Sequence, residues 1–503
     1  MMENIIIALQ SIATPTGVLY IFGGALAGVI LGAIPGLGGG TITVLLLPLT
    51  YKMDPALALG LFVAIHVGST SGGCIGSILL GIPGTNSSIV TCWDGYEFTK
   101  KGQTVRAMSN AVIANFIGTI PSLIIAMLLC PLLAKVAIQL GPWEYFGMCV
   151  CAIAMVVGLT KGNLFKNLMA VALGILLTSL GSCPMTGALR INFGSMNLYS
   201  GLNIVDIMLG LFGARIMLME FARQSKLDTS KVVKVERFKF PGEDLAKSVG
   251  TIIRGFLMGL FIGFLPGLGG STSTVMAYST ERSLSKDPES FGKGNIKGVL
   301  APEVANNAGI GGALIPMISL GIPGDGVMTL FMAALTVHGI TPGPMLIKDN
   351  PDVVYMLYIG AIVAGIFVLV VEIFGMPMFP ALLKVPYQYL YPAIIVISIL
   401  ATYFSSNNFF GMIVCLCACL LGIAMEWLEI PVMPFMMTFI LSTLIEKNFR
   451  LGMNYADNGF LSFLTRPVSC IFLLIGVFML VWHIVKGIQE EKKAAAADAA
   501  DKV

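Results

Sequence analysis

The chain has 503 residues, of which 56% are hydrophobic and only 11% are charged, and its formal net charge is +3. Ordinary soluble domains carry about 25% charged residues, so this composition excludes a protein that covers its whole surface with water-facing side chains. It predicts an all-α polytopic membrane protein whose solvent is the lipid bilayer, and it gives no reason to expect a nucleic-acid partner.

The apolar segments are of two kinds. Some are short and interrupted by glycine, proline and hydroxyl residues: 17–34, 41–50, 72–82, 248–265, 272–280 and 309–322. Others approach or exceed the length of about 20 residues that a membrane helix needs: 107–129, 144–160, 167–181, 203–221, 353–375, 388–404, 408–425, 431–446 and 466–487. We interpret the short segments as half-helices, re-entrant hairpins or broken helices, because irregular backbone at membrane depth is tolerated only inside protein.

Two short motifs each occur twice, in the same order. PGLGG occupies residues 35–39 and 266–270, and GIPG occupies residues 81–84 and 321–324. In chain order we name these sites the first, second, third and fourth breaks. They predict two structural repeats, which we expect to have inverted topology, each with a re-entrant hairpin and a broken helix at its Pro-Gly motifs. Broken helices at matching positions of two halves are typical of the substrate sites of secondary transporters.

The longest polar segment, about 222–247, separates the two halves. Its basic residues are Arg223, Lys226, Lys231, Lys234, Arg237, Lys239 and Lys247, and the positive-inside rule therefore predicts that it is cytoplasmic. The predicted organisation is a first transmembrane repeat over 1–225, a cytoplasmic linker over 226–247, a second transmembrane repeat over 248–487 and a polar C-terminal tail over 488–503.

The first and third breaks have the composition of an anion site. Glycine lets a ligand approach the main chain closely, and a half-helix beginning there presents free N–H groups to an anion. We expect the hydroxyl residues that follow to be N-caps. The predicted substrate-binding residues are Gly36, Gly38, Gly39, Thr41 and Thr43 at the first break and Gly267, Gly269, Gly270, Ser271, Thr272 and Ser273 at the third. The alternative is a tight helix crossing in which the hydroxyls bond to backbone.

The second and fourth breaks differ from each other. Four hydrogen-bonding residues, predicted to bind substrate, follow the second: Thr85, Asn86, Ser87 and Ser88. We expect Pro83 and Pro323 to free a carbonyl in the preceding helical turn, where a coupling cation can bind. Asp325 would repel a carboxylate, so we assign it to cation coupling, with capping of the next half-helix as the alternative.

Ionisable residues inside apolar sequence are functional candidates. We predict that Glu303 couples a cation, with a place at the aqueous mouth of its helix as the alternative, and that Asn306 and Asn307 contact substrate. We expect His66 to be a satisfied helix residue rather than a ligand, and Glu372 to pair across helices or face water. The chain has no phosphate-loop or zinc-helix motif, which predicts that it is not an enzyme and needs no cofactor beyond Na⁺ as a coupling ion.

These stretches resemble the TctA family, the large membrane subunits of bacterial tripartite tricarboxylate transporters. The matching segments are 32–55, 72–102 with Asp94-Gly95-Tyr96, 263–278, 291–308 with APEVANNA at its end, and 321–344 with GITPGP at its end. They follow one another in order across nearly the whole chain.

The resemblance implies import of small di- and tricarboxylates, such as citrate, across the bacterial cytoplasmic (inner) membrane. It also implies a periplasmic TctC-like solute-binding protein and a small TctB-like membrane subunit as partners. Because no nucleotide motif is present, symport with Na⁺ or H⁺ is the simplest source of energy. A homodimer stays open, and so do two other functions: a passive carboxylate channel or facilitator, and a docking receptor for the binding protein.

Overall fold

The computed structural model describes residues 2–34, 38–160, 163–183, 185–222, 235–383, 387–406, 408–456 and 459–500. Within these residues the regular structure is helical, and β-pairing is limited to two isolated bridges, Leu180 with Ile191 and Ser182 with Leu189.

The helices are named in chain order. The first ten are α1 (Met2–Ile12), α2 (Pro15–Gly32), α3 (Gly39–Leu46), α4 (Pro55–Leu80), α5 (Ile89–Lys100), α6 (Thr104–Ala137), α7 (Pro142–Leu159), α8 (Leu164–Thr178), α9 (Ile204–Met208) and α10 (Arg215–Ala222). The next eight are α11 (Gly242–Lys247), α12 (Val249–Phe264), α13 (Gly269–Leu284), α14 (Lys297–Leu320), α15 (Gly326–Val337), α16 (Leu346–Asp349), α17 (Pro351–Gly375) and α18 (Phe379–Leu382). The last five are α19 (Tyr387–Ser406), α20 (Phe409–Trp427), α21 (Val432–Asn454), α22 (Leu461–Thr465) and α23 (Pro467–Ala500). Short 3₁₀ segments lie at Leu47–Thr50, Asn86–Ser88, Met196–Leu198, Pro288–Ser290 and Met376–Met378, and a π-helical turn at Leu209–Ala214 joins α9 to α10.

By length and composition, six helical stretches among the described residues can cross a membrane: Pro15–Gly32, Pro55–Leu80, Thr104–Ala137, Pro142–Leu159, Pro351–Leu382 and Phe409–Trp427. Together with the helical content, they agree with the all-α polytopic membrane protein that the composition predicts.

The helices form two compact units that do not follow the division at the linker. The first unit contains residues 1–135 and 205–420, and the second contains 136–204 and 421–503. The repeat boundaries therefore stay a prediction about the sequence. In the second unit α7 packs against α21 and α23, and the Glu446 carboxylate accepts hydrogen bonds from Arg190 (2.5 Å) and Arg450 (2.8 Å).

Small residues hold two helix pairs together in the first unit. A Cβ added at Gly28 of α2 would lie 2.5 Å from Ile65 O of α4, and one at Gly263 of α12 would lie 2.6 Å from Gly309 O of α14. Backbones this close are typical of small residues at membrane helix crossings. As a result α4 and α14 are enclosed along nearly their whole length.

Helices α4 and α14 end in the same way. Gly81 and Gly321 both adopt the left-handed conformation with φ 71°, which ends a helix at little cost for glycine. Pro83 and Pro323 thus stand three residues after the last helical residues, Leu80 and Leu320, so a free carbonyl in the preceding helical turn follows from the helix end rather than from the proline.

Candidate functional site

The third break lies against the fourth and the second breaks in the first unit. The backbone N–H of Gly267 donates to Gly324 O at 2.8 Å, which joins the third break to the fourth. A Cβ added at Gly270 would lie 3.4 Å from Ser87 Cβ, just after the second break. The start of α13 is thus placed between the Pro-Gly turns of both halves.

The first break contacts the second and the fourth breaks through its flanking residues. Residues 35–37 at its centre, Gly36 among them, lie outside the described residues, but its flanks are defined. A Cβ added at Gly84 would collide with Gly32 O at the end of α2, and one at Gly40 in α3 would lie 3.7 Å from Val327 Cγ2 in α15. The flanks of the four breaks therefore form a ring in which each contacts two others, and we call this arrangement the ring of breaks.

The helices α3 and α13 begin at the ring without side-chain caps. The N-cap positions are Gly38 for α3 and Leu268 for α13, and neither helix has a side-chain cap hydrogen bond. By contrast, α4 is capped by Asp54 and α15 by Asp325. Uncapped first-turn N–H groups and the positive end of the helix dipole favour an anion.

The expectation that hydroxyl residues cap these helices is wrong. The helices start at the glycines, so the hydroxyls lie inside the first two turns: Thr41, Thr43, Ser271, Thr272 and Ser273. The Ser273 hydroxyl donates to Gly270 O at 2.8 Å. Thr43 is buried and its Oγ1 has no partner among the described residues, while Ser271 is exposed and Thr272 half-buried.

The residues after the second break form a hydroxyl cluster. Thr85 Oγ1 lies 2.8 Å from Ser88 Oγ and 3.1 Å from Ser87 Oγ. Ser88 is buried, Thr85 and Ser87 are half-buried, and Asn86 is exposed. Among the four, Asn86 is therefore the most accessible to a ligand at this edge of the ring, Thr85 and Ser87 are partly accessible, and Ser88 is enclosed.

Asp325 caps a helix, which is the role that the sequence suggested as the alternative to cation coupling. Its Oδ1 accepts a hydrogen bond from Met328 N at 2.8 Å and so caps α15. Asp325 is half-buried, and a Cβ added at Gly269 would lie 3.2 Å from Asp325 Cβ. The carboxylate therefore stands beside the third break while it caps its own helix.

Two neighbouring asparagines of α14 point to different places. Asn306 is 3% exposed, its Nδ2 has no partner among the described residues, and its Oδ1 would lie 2.6 Å from a Cβ at Gly270. Asn307 is turned away from the ring, because consecutive helical residues are about 100° apart. Its Oδ1 accepts from Ser71 Oγ (3.0 Å) and Thr119 Oγ1 (3.1 Å). The structure thus brings Asn306 to the ring and leaves Asn307 out of it.

Glu303 is buried with 1% of its surface exposed, so the alternative of a place at the aqueous mouth is wrong. Thr91 Oγ1 donates to its Oε1. Asn307 Nδ2 donates to Glu303 O at 3.0 Å. The side-chain amide of Asn115 lies 2.8 Å from Glu303 Oε2 and 3.2 Å from Ala111 O, and its nitrogen donates to both oxygens in the orientation that satisfies them. Glu303 is thus a buried carboxyl group held by Thr91 and Asn115.

His66 is not the satisfied residue that we expected. Its buried Nε2 has no partner among the described residues, and its ring stands edge-on to Phe331 with a centroid distance of 5.8 Å. The nearby hydroxyls of Ser69 and Thr70 donate to His66 O instead.

Comparison with known proteins identifies the family. Residues 18–437 match the tripartite tricarboxylate transporter TctA family. The chain belongs to this family. An uncharacterized 52.8 kDa protein of the TAR-I ttuC' 3' region of Agrobacterium vitis is 30% identical over 492 residues, which cover 98% of each chain. A second uncharacterized protein, of the TAR-II ttuC' 3' region of the same organism, is 30% identical over 234 residues, covering 46% of this chain and 97% of the relative. No solved structure matches the chain.

Membership of the TctA family confirms the resemblance seen in the sequence motifs. The family is one of transporters, so this chain is a component of a tripartite tricarboxylate transport system. Its apolar helices agree with a multi-pass membrane protein.

Asp94, within one of the TctA-like stretches, has a role that sequence reasoning missed. It is fully buried, and its Oδ1 accepts from the backbone N–H groups of Gly292 (2.9 Å), Gly294 (2.8 Å) and Asn295 (2.7 Å). Its Oδ2 accepts from Tyr278 Oη at 2.9 Å. Asp94 thus joins α5 to the loop before α14. The sequence contained an indication of this role, because both segments lie in stretches that resemble the TctA family.

Proposed function

We propose that this TctA-family chain is the large membrane subunit of a binding-protein-dependent system that imports small di- and tricarboxylates, citrate-like in chemistry, by symport with Na⁺ or H⁺. The observation that carries the proposal is the ring of breaks, where α3 and α13 both present uncapped N-termini. The residues named in the ring add hydroxyl and amide groups but no lysine or arginine.

The ring suits an anion that must be released again. First-turn N–H groups of α3 and α13, the Asn306 amide and the accessible Asn86 and Ser87 side chains supply hydrogen-bond donors. Each hydrogen bond to a charged group is worth about 1.5–3 kcal/mol net. A few such bonds hold a carboxylate without the tight clamp that bidentate arginine would form.

The membrane potential supplies the argument for a coupling cation. Moving one charge against 100 mV costs about 2.3 kcal/mol, so a trianion entering an inside-negative cell meets roughly 7 kcal/mol before any concentration gradient. The buried Glu303 and the carboxylate of Asp325 beside the third break are the groups that we propose for cation coupling.

The repeat organisation belongs to the same proposal. We propose that the two halves are inverted repeats and that their breaks are re-entrant or broken helices meeting near mid-membrane. In support, α2, α3, α4 and α5 flank the first and second breaks as α12, α13, α14 and α15 flank the third and fourth. We further propose the bacterial cytoplasmic membrane as the location, with a TctB-like subunit and a periplasmic TctC-like binding protein as partners.

Uptake into membrane vesicles tests the function. Vesicles carrying the chain, with and without the binding protein and small subunit, are given radiolabelled citrate and other di- and tricarboxylates while Na⁺ and pH are varied separately. We expect uptake that depends on one of the two cations and requires the binding protein. Carboxylate flux without any cation requirement would establish a channel instead. Failure of the purified chain to bind any carboxylate would favour the docking receptor.

A further inference from the structure

A small cavity lies between α4, α6 and α17, apart from the ring of breaks. Its volume is about 10 Å³, and its polar lining consists of Ser71, Asn115, Thr119 and Glu372. A space of this size holds about one water-sized particle. Glu372 is 1% exposed, and neither carboxylate oxygen has a hydrogen-bond partner among the described residues. The expectation that Glu372 pairs across helices or faces water is therefore wrong.

The hydroxyl groups of the lining present lone pairs rather than hydrogens. Ser71 Oγ and Thr119 Oγ1 each donate their one hydrogen to Asn307 Oδ1, at 3.0 and 3.1 Å. The orientation of that amide is fixed, because its Nδ2 donates to the carbonyl of Glu303. Each hydroxyl oxygen keeps its lone pairs for another partner. Two hydroxyl oxygens and the two oxygens of Glu372 thus supply acceptors around one small space.

A cation satisfies this lining better than a proton alone. A protonated Glu372 would still have an O–H group without an acceptor in the described structure, whereas a bound ion engages the carboxylate and hydroxyl oxygens together. Hard oxygen ligands suit hard cations. Among the described residues Glu372 is the one ionisable side chain of the lining, so a single positive charge balances the site. A divalent ion would leave a buried charge uncompensated.

We propose that Glu372, Ser71 and Thr119 form a binding site for one Na⁺ ion between α4, α6 and α17, spatially distinct from the ring of breaks. The meaning of this site as a coupling site depends on the proposed transport function, but the binding of the ion does not. Asn307 links the site to Glu303, since its amide contacts Ser71 and Thr119 through Oδ1 and the backbone carbonyl of Glu303 through Nδ2.

Thermal unfolding of the purified full-length chain in detergent tests the site without substrate. A ligand that binds the folded state raises the unfolding temperature as its concentration rises. We expect NaCl to raise the Tm, and KCl or choline chloride at equal ionic strength to leave it unchanged. Glu372→Gln is expected to abolish the Na⁺-dependent rise. Loss of an outer-shell partner alone costs a metal site 10–100-fold in affinity, so Ser71→Ala and Thr119→Val are expected to raise the half-saturating Na⁺ concentration by at least about tenfold.

The matched control is Ser398→Ala. Ser398 is also a fully buried helical serine of the first unit, but its hydroxyl donates to Ile394 O of its own helix and is not part of the cavity. This variant should keep the full Na⁺ response. If Glu372→Gln does not fold, Ser71→Ala and Thr119→Val carry the test.

The outcomes separate this site from the proposed function. A Na⁺ response that survives in Glu372→Gln, or a rise in Tm that depends on pH and not on Na⁺, overturns the site. A Na⁺ response lost in Glu372→Gln, in a chain that imports no carboxylate, supports the site and removes the transport proposal. Na⁺-independent carboxylate uptake with no Na⁺ effect on Tm removes the site and leaves transport standing.

Discussion

Replacing Gly38 with alanine places one methyl group at the N-terminus of α3, where we propose that a carboxylate meets the main chain. Gly38 has φ −64° and ψ 160°, a conformation that any L-residue adopts. A Cβ built there has no heavy atom of the described residues within 4 Å. The substitution is therefore expected to leave the fold intact, and the gain of about 0.4–1 kcal/mol from restricting the unfolded chain is offset by the lower preference of alanine for the N-cap position.

Carboxylate transport, in contrast, should weaken in the Gly38→Ala variant. A methyl group at this position holds a ligand away from the first-turn N–H groups, and each lost hydrogen bond to a charged group costs about 1.5–3 kcal/mol. Since 1.4 kcal/mol is tenfold in affinity, loss of one such bond raises the half-saturating carboxylate concentration about 10- to 150-fold. The assay is the initial rate of vesicle uptake against substrate concentration, together with the Tm of the purified variant.

Gly23→Ala is the matched control. Gly23 lies in α2, and a Cβ there also has no neighbour within 4 Å in the part of the chain that the structure describes. The same methyl group is thus added to the same unit, away from the proposed contact. Uptake should match that of the parent. If Gly38→Ala transports with the parent's half-saturation and maximal rate, the N-terminus of α3 does not contact substrate and the reasoning fails.

Asn86→Ala and Ser87→Ala should lower the rate of carboxylate uptake at subsaturating substrate. The free energy of unfolding should change by less than about 0.5 kcal/mol, because Asn86 is exposed and Ser87 half-buried. Unchanged uptake in both variants would remove the second break from the site. Asp325→Asn keeps a good N-cap for α15 but removes its charge, so we expect an altered Na⁺ or pH profile of uptake with an unchanged Tm, and identical profiles would leave Asp325 with its capping role alone. Hydrogen bonds from Arg106 hold the pKa of the Asp244 carboxyl below its ordinary value. The stability that this pair contributes is therefore present above about pH 4 and is lost as the pH falls through the lowered pKa. Asp244→Asn should remove that part of the acid dependence of the Tm.

The positions of most helices could be predicted because they depend on local sequence. The predicted spans 107–129 and 353–375 lie within α6 and α17, and 144–160 matches α7 to within two residues. The breaks at the Pro-Gly motifs were predictable because they too depend on local sequence. Glycine and proline do not interrupt a helix everywhere, however: the segments 72–82 and 309–322, which we expected to be short, lie almost wholly within the continuous helices α4 and α14, and α14 runs through Pro302 and Pro316. Gly81 and Gly321 end their helices at corresponding points of the GIPG motifs.

The partners within the site could not be predicted, because they depend on contacts between distant parts of the chain. Asn307 and Ser71 are separated by 236 residues, and nothing in the spacing of either motif brings them together. The hydroxyls after the glycines were misassigned as caps for a related reason. The sequence does not show at which residue the backbone turns helical, and glycine occupies the cap region without supplying a side chain.

Helix α14 links the two proposed sites through adjacent residues. Asn306 stands against Gly270 in the ring of breaks, while Asn307 receives the hydroxyl hydrogens of Ser71 and Thr119 and so keeps the oxygens of those residues open toward Glu372. A rotation of α14 that moved Asn306 from the ring would also move Asn307, and the hydroxyls would lose their acceptor. They would then turn hydrogens toward a cation that needs lone pairs. Coupling between a carboxylate at the ring and Na⁺ near Glu372 therefore requires no long pathway, only one rigid helix whose orientation both ligands favour.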